Sequence, residues 1–120
     1  MTVEVNFHGR SLGMSSKQII KQAPSEVVVY ILNIKNFSTS VSGTPTVLKV
    51  VDIEDVDTDV SGTVVGTQVI TTSGTAITLP VLKSLTLGKS YRVHCNYVDG
   101  GNTAEIYEPN FIVRCEVDNG

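Results

Sequence analysis

One segment specifies the architecture expected of this chain: Leu85-Thr-Leu-Gly-Lys-Ser-Tyr-Arg-Val-His-Cys-Asn-Tyr97. From Tyr91 to Tyr97, aromatic or apolar residues alternate with polar ones, which is the period of a strand with one buried face. The preceding residues include a glycine and predict a turn. The segment therefore predicts a corner that leads into a half-buried β-strand.

The composition favours a single all-β domain. The chain has 120 residues, enough for one domain with a core and too few for two. Valine and threonine occur 19 and 13 times, and both are β-branched residues that suit strands. The formal net charge of −3 argues against a general nucleic-acid binder, because such proteins carry a basic face.

The first residues and the longest apolar runs bear on location. The segment Met1–Arg10 lacks the basic leader and the apolar run of a signal peptide. No segment approaches the roughly 20 apolar residues of a membrane-spanning helix. We therefore expect a protein that stays in the cytoplasm where it is made, or leaves by a route other than secretion, without a membrane partner.

Turn signals divide the chain into about seven or eight predicted antiparallel strands, and a two-sheet β-sandwich is the natural way to bury them. Ser15–Gln22 predicts either a helical turn or a strand, ended by Pro24. Phe37–Pro45 is predicted to be a loop. The predicted strands are Val3–Phe7, Glu26–Asn36, Thr46–Ile53, Thr63–Thr72, Thr75–Leu82, Tyr91–Tyr97 and Phe111–Val117.

The most apolar predicted strand, Glu26–Asn36, is apolar on both faces. Val28, Tyr30, Leu32 and Ile34 share one face, and Val27, Val29 and Ile31 share the other. Because a strand at the surface of an isolated sandwich is usually polar on one side, we expect something to cover the second face. Two covers are open: the N-terminal segment, or another protein chain.

The two cysteines, Cys95 and Cys115, have neither the spacing nor the neighbours of a zinc site. Asp99-Gly-Gly-Asn102 predicts a tight hairpin. A turn centred on these glycines would place Cys95 opposite a residue near Ile106, far from Cys115 along the next strand. Two buried or half-buried free thiols are therefore the preferred interpretation, and a disulfide is the alternative.

One acidic cluster is the best sequence candidate for a metal site. Asp55, Asp57 and Asp59 have a D-x-D-x-D spacing that can supply oxygen ligands to calcium. An EF-hand loop would also need a glycine and a glutamate where this chain has Val60 and Gly66. A solvated acidic loop is the preferred interpretation, and no metal ligand is assigned.

Residues that could carry catalysis do not form a recognisable set. His94 and Cys95 are adjacent in a predicted strand, so their side chains point to opposite faces and cannot act as a nucleophile and its base. His8 is not required by the sequence to approach either. Glu105, Glu108 and Glu116 have no convergent partner, so we predict no enzyme, no catalytic residue and no cofactor.

Three short motifs occur in a familiar order. They are Gln22-Ala-Pro-Ser-Glu-Val-Val-Val-Tyr30, the corner Leu87-Gly-Lys-Ser-Tyr91, and the ending Asn102–Val117. This order resembles the small immunoglobulin-like proteins encoded among the head and tail genes of tailed bacteriophages. The resemblance spans Ile20–Val117, leaves Ser38–Thr75 unmatched, and carries over no functional residue.

The resemblance implies an immunoglobulin-like or fibronectin-type β-sandwich over residues 24–120, preceded by an N-terminal arm or extra strand over residues 1–23. In immunoglobulin-like sandwiches a tyrosine at such a corner bonds back to nearby backbone, and Tyr91 is expected to do so. Alternatively, Tyr91 is a binding aromatic, with Tyr97 on the same face and Tyr30 and Tyr107 as the remaining tyrosines.

The leading functional expectation is a non-enzymatic structural protein of a phage particle, a capsid decoration or a head or tail component. It would be assembled in the host cytoplasm and bind other virion proteins or further copies of itself, through the N-terminal arm or the Val27, Val29 and Ile31 face. The alternatives are an immunoglobulin-like adhesion or carbohydrate-binding module, and a calcium-binding module on Asp55, Asp57 and Asp59.

Overall fold

The computed structural model describes residues 2–7, 14–35, 38–43, 48–55 and 58–117, with the backbone alone for residues 14–19. Nearly all regular structure in these ranges is β-strand, and one short helix occurs. In chain order the elements are β1 Thr2–Asn6, β2 Met14–Gln22, β3 Val29–Asn33, β4 Val41–Ser42, β5 Leu48–Asp52, β6 Thr58–Asp59, α1 Ser61–Val64, β7 Thr71–Ser73, β8 Ala76–Thr78, β9 Ser90–Cys95, β10 Tyr97–Asp99, β11 Ile106–Tyr107 and β12 Pro109–Cys115.

These strands form three sheets, and the two larger ones enclose the core. The four-stranded sheet has the order β1-β3-β8-β7, the five-stranded sheet β2-β12-β9-β5-β6, and the small sheet β11-β10-β4. The ring of Tyr30 in β3 lies 5.2 Å from that of Phe111 in β12, centroid to centroid, so side chains of the two larger sheets meet. The predicted all-β class is confirmed, with a sandwich-like arrangement of sheets.

Alternation along two strands is also confirmed. In β9, Tyr91, Val93 and Cys95 are buried, and the residues between them are half-buried. In the Glu26–Asn36 segment, Val28, Tyr30, Leu32 and Ile34 are all buried. The corner tyrosine forms its expected contact, because the backbone N–H of Thr86 donates a 2.8 Å hydrogen bond to the hydroxyl of Tyr91.

The predicted antiparallel pairing is wrong for two strand pairs. β1 runs parallel to β3, with Val5 beside Leu32, and β2 runs parallel to β12, with Ile20 beside Val113. Parallel neighbours need a long connection between them. In this chain the connection from β1 to β3 includes β2. After β1 the chain forms β2 in the five-stranded sheet and then returns to the four-stranded sheet, where β3 lies beside β1. Both strands of the N-terminal segment thus lie at sheet edges.

The predicted strand Thr63–Thr72 is wrong over most of its length. Residues Ser61–Val64 form the one-turn helix α1, and strand β7 begins only at Thr71. Val60 and Val64 are four residues apart, so one helical turn puts both on the core side. Gly66 then allows a close approach, because a Cβ there would lie 2.5 Å from Cγ2 of Val81.

The final hairpin forms, but its predicted register is wrong. Ile106 lies opposite Val98, and Asn110 lies opposite His94. The loop is longer than a two-residue turn, because the N–H of Asp99 donates to the carbonyl of Glu105 at 3.0 Å. Val41–Ser42, inside the predicted loop Phe37–Pro45, adds a short strand to this hairpin.

The described residues contain more than the predicted seven or eight strands, because one predicted strand is divided in two and the short strands β4, β6 and β11 were not predicted. The Tyr91–Tyr97 strand breaks at Asn96, so β9 and β10 belong to different sheets. Pro80 follows β8, and the predicted strand Thr75–Leu82 continues past it only through isolated bridges of Leu82 with Val28 and Val65. Ser15–Gln22, left open between helix and strand, lies within β2 and ends before the turn at Pro24.

Candidate functional site

The outer face of the four-stranded sheet is almost free of charge, and we call it the neutral face. The strand register places ten outward side chains on it: Thr2, Glu4, Asn6, Val29, Ile31, Asn33, Thr71, Ser73, Ala76 and Thr78. Glu4 is the one ionisable group of the ten, and its carboxylate accepts a 2.9 Å hydrogen bond from the amide of Asn33. Threonine and aliphatic side chains make up most of this surface.

An apolar stripe crosses the neutral face along the β3 segment. Val29 and Ile31 are half-buried, and Val27 just before them is 53% exposed. The described part of the N-terminal segment does not lie over this stripe, because β1 extends the sheet beside β3. Of the two covers that the sequence left open, the N-terminal segment is therefore excluded for residues 2–7. A covering protein chain stays a prediction.

The outer face of the five-stranded sheet is charged instead. Lys21 lies 3.4 Å from the carboxylate of Glu116, and Arg114 lies 3.6 Å from that of Glu54. Arg114 also donates to Glu116 through Nε, and this contact is the first cause of the lowered pKa of Glu116. Ion pairs of this kind are typical of a solvated surface. The two outer faces thus differ in kind.

The acidic cluster is only partly within the described residues. Asp55 is exposed in a turn, and Asp57 lies outside the described ranges. Asp59 accepts hydrogen bonds from the hydroxyl of Ser61 at 2.7 Å and its N–H at 3.0 Å, which lower the pKa of Asp59. In the part of the chain that is described, no three His, Cys, Asp or Glu side chains are grouped for a metal. The calcium hypothesis stays a prediction.

Beside this cluster, a polar cavity of about 170 Å³ is lined by groups that include Asp52, Asp55 and Lys89. Asp52 lies at the end of β5, and its side chain is only 5% exposed. It accepts 2.7 Å and 3.0 Å hydrogen bonds from Lys89 Nζ and the N–H of Glu54. The bond from Lys89 lowers the pKa of Asp52, although burial opposes the shift. The pair joins β5 to the corner before β9.

The Asp52 carboxylate makes stability depend on pH. Because its folded pKa lies below the ordinary value of 3.8, it stabilises the fold above that pH and loses this effect as the pH falls through the folded value. We expect Asp52→Asn to lower the free energy of unfolding at about pH 7 and to differ less from wild type at about pH 2.5. Urea unfolding at both pH values measures this. Asp55→Asn is the exposed control, and an equal difference at both pH values would contradict the role of Asp52.

The histidine and cysteines occupy the positions that alternation predicts. His94 lies on the charged outer face, and Cys95 is buried in the core, so the two side chains do point apart. Both cysteines are free and buried, as predicted. Burial raises the pKa of Cys95 to about 12 and also raises that of Cys115. Both thiols are protonated at neutral pH. His8 lies outside the described residues.

The glutamates singled out in the sequence are held apart. Glu105 accepts a 2.6 Å hydrogen bond from the hydroxyl of Tyr107. Glu108 lies 4.0 Å from Nδ1 of His94, and Glu116 is held by Lys21 and Arg114. The expectation that the chain is not an enzyme stays a prediction.

The tyrosine side chains are buried or half-buried and are not presented on the surface. Tyr30 and Tyr97 are each 1% exposed, and Tyr91 is held by the corner contact. Tyr107 is half-buried, with its ring 5.5 Å from that of Tyr97. An adhesion or sugar-binding surface would present aromatic rings to solvent, so this arrangement does not favour the carbohydrate-binding alternative.

Comparison with known proteins identifies no relative. No protein-family model, curated protein or solved structure matches the chain. Within the described ranges, no helix has the length and apolar character needed to cross a membrane.

Proposed function

We propose that the protein is a non-enzymatic structural component of a tailed-bacteriophage particle and binds other virion proteins through its neutral face. The observation that carries the proposal is the contrast between the two outer faces. Interface centres are depleted of charged residues, and the neutral face has one ionisable side chain among ten. The assignment to a phage particle is based on the resemblance of the three sequence motifs to the small immunoglobulin-like phage proteins.

The immunoglobulin-like part of the proposal is supported by the corner. The bond from Thr86 to Tyr91 is the contact that such sandwiches make at this place. The parallel pairs β1–β3 and β2–β12 depart from a purely antiparallel sandwich. We propose an immunoglobulin-like core to which the N-terminal segment adds one edge strand on each large sheet.

The size of the neutral face favours a repeated contact. The four strands lie about 4.8 Å apart, with five residues each in β1 and β3 and three each in β7 and β8, and at about 3.3 Å per residue they span roughly 250 Å² in projection. A stable pairwise interface buries about 800 Å² on each partner. The neutral face alone is thus too small for tight binding of one molecule, but many identical contacts on a lattice gain strength from one another.

Presence in the particle tests the proposal. We expect mass spectrometry of density-gradient-purified particles, taken from the strain that carries the gene, to detect the chain at a fixed ratio to the major capsid protein. Particles disrupted with detergent and salt are the control for loose adsorption. A docked component co-purifies with intact particles and is released only when the particle is dismantled. Absence from intact particles would contradict the proposed function.

A further inference from the structure

Three basic side chains meet on the outer face of the five-stranded sheet, away from the neutral face. Lys49 in β5 lies directly opposite His94 in β9, and Arg92 is two residues from His94 on the same side of β9. Cross-strand neighbours of this kind have Cβ atoms about 5 Å apart. Lys49, Arg92 and His94, with Val51 opposite Arg92, line one cavity of about 200 Å³, which we call the basic pocket.

Two basic side chains of the pocket, Lys49 and Arg92, form no ion pair with a carboxylate among the described residues. Arg92 donates a 2.9 Å hydrogen bond to the side-chain oxygen of Asn110, a neutral group. Within the described residues, no carboxylate lies within 4.0 Å of the Lys49 ammonium or the Arg92 guanidinium. On the same face, Lys21 and Arg114 both have such partners, so the basic pocket differs from its surroundings.

One atom of the pocket is also left without a hydrogen bond. His94 Nε2 is buried and has no hydrogen-bond partner among the described residues, although the side chain as a whole is 27% exposed. A buried polar atom without a partner is costly, and such atoms in native proteins often mark a bound water or ion.

Two acidic groups stand at the rim. The carboxylate of Glu108 lies 4.0 Å from Nδ1 of His94, and the Glu108 side chain is 71% exposed. Asp59 is close enough to Lys49 and His94 for both to contribute to its lowered pKa, but its carboxylate is already bound by Ser61. Neither fills the pocket. Both reduce its positive potential, so an anion there is held weakly.

We infer that the basic pocket binds a tetrahedral oxyanion, a phosphate or sulfate group, through Arg92 and Lys49, with the ring of His94 beside it. The guanidinium offers a planar pair of donors that matches such an anion, and the ammonium adds a point charge. This inference does not rest on the proposed function, because it concerns the opposite sheet.

Nuclear magnetic resonance of the His94 ring tests the inference. The chain has two histidines, so the Cε1–Hε1 signal of His8 serves as an internal reference. Inorganic phosphate is titrated at fixed pH, with chloride exchanged to hold the ionic strength constant. We expect a saturable shift of the His94 signal with a dissociation constant on the order of 1 mM, and similar binding of sulfate.

Variants assign the binding to the named residues. Arg92→Gln is expected to weaken phosphate binding at least tenfold and Lys49→Gln about threefold, whereas Lys35→Gln on the other sheet leaves it unchanged. Because Lys49 is exposed, we expect Lys49→Gln to fold, and this variant tests the inference if Arg92→Gln fails to fold. A non-saturable shift, an unchanged affinity in both pocket variants, or acetate binding as tightly as phosphate would each overturn the inference.

Discussion

Replacing Phe7 with alanine is expected to lower the free energy of unfolding by about 3–5 kcal/mol. Phe7 follows β1 and is 0% exposed in the core, and the neighbouring Val5 is buried with it. Truncation removes a large apolar side chain and leaves a cavity that the surrounding strands fill only in part. The effect follows from β1 being an integral edge strand of the four-stranded sheet.

Urea unfolding monitored by circular dichroism measures this change. Thr2→Ala is the matched control, because Thr2 lies in the same strand with an exposed side chain, and we expect it to change stability by less than about 0.5 kcal/mol. Equal, small effects of both substitutions would mean that the N-terminal segment is not part of the folded core.

Gln22→Ala is expected to lower the free energy of unfolding by about 2–4 kcal/mol, because it leaves the buried Tyr30 hydroxyl and the Glu26 carbonyl without this partner, at about 1–3 kcal/mol each. The Gln22 side chain accepts a 2.8 Å hydrogen bond from the hydroxyl of Tyr30. Its amide donates to the carbonyls of Leu82 at 2.8 Å and Glu26 at 3.0 Å. Gln22 thus links β2 of one large sheet to β3 of the other.

Thermal and urea unfolding measure the effect, with Lys21→Ala as the control, since Lys21 is the exposed neighbour in β2. A double-mutant cycle with Tyr30→Phe isolates the bond between the two side chains, and we expect a coupling energy of about 1 kcal/mol. A loss below about 1 kcal/mol for Gln22→Ala would contradict the buried network.

Patterns confined to one strand could be predicted from the sequence. The buried sides of the Tyr30 and Tyr91 strands follow directly from alternation, as does the separation of His94 from Cys95. The corner bond of Tyr91 was also predictable. Each of these depends on residues within a few positions of one another, where periodicity is informative.

Features that depend on which strands become neighbours could not be predicted. The parallel edges at β1 and β2 follow from the chain crossing between sheets, and the sequence carries no local signal for this. The helical turn at Ser61 was hidden in a threonine- and valine-rich run that resembles a strand. The spacing of Val60 and Val64 was the available signal for it.

The same limit applies to the sites. The basic pocket exists because the β5–β9 register sets Lys49 opposite His94, and a shift of one residue would separate them. The neutral face combines four strands, whereas the sequence showed only the stripe of Val27, Val29 and Ile31. Gln22 was noted only as part of a motif. The Pro-Ser turn that follows it is closed by the Glu26 carboxylate, which accepts a 2.7 Å hydrogen bond from the N–H of Ala23.

The role of the neutral face is tested most directly by comparing two lysine substitutions in purified particles. Ile31 and Ile112 are both half-buried, outward-facing isoleucines in the middle of a strand, one on each large sheet. A lysine at the centre of an interface costs several kcal/mol to desolvate. With both variants shown to be folded, we predict that Ile31→Lys lowers the copy number per particle at least about tenfold, which corresponds to 1.4 kcal/mol, whereas Ile112→Lys leaves it unchanged. Equal incorporation of the two variants, or selective loss of Ile112→Lys, would contradict docking through the neutral face.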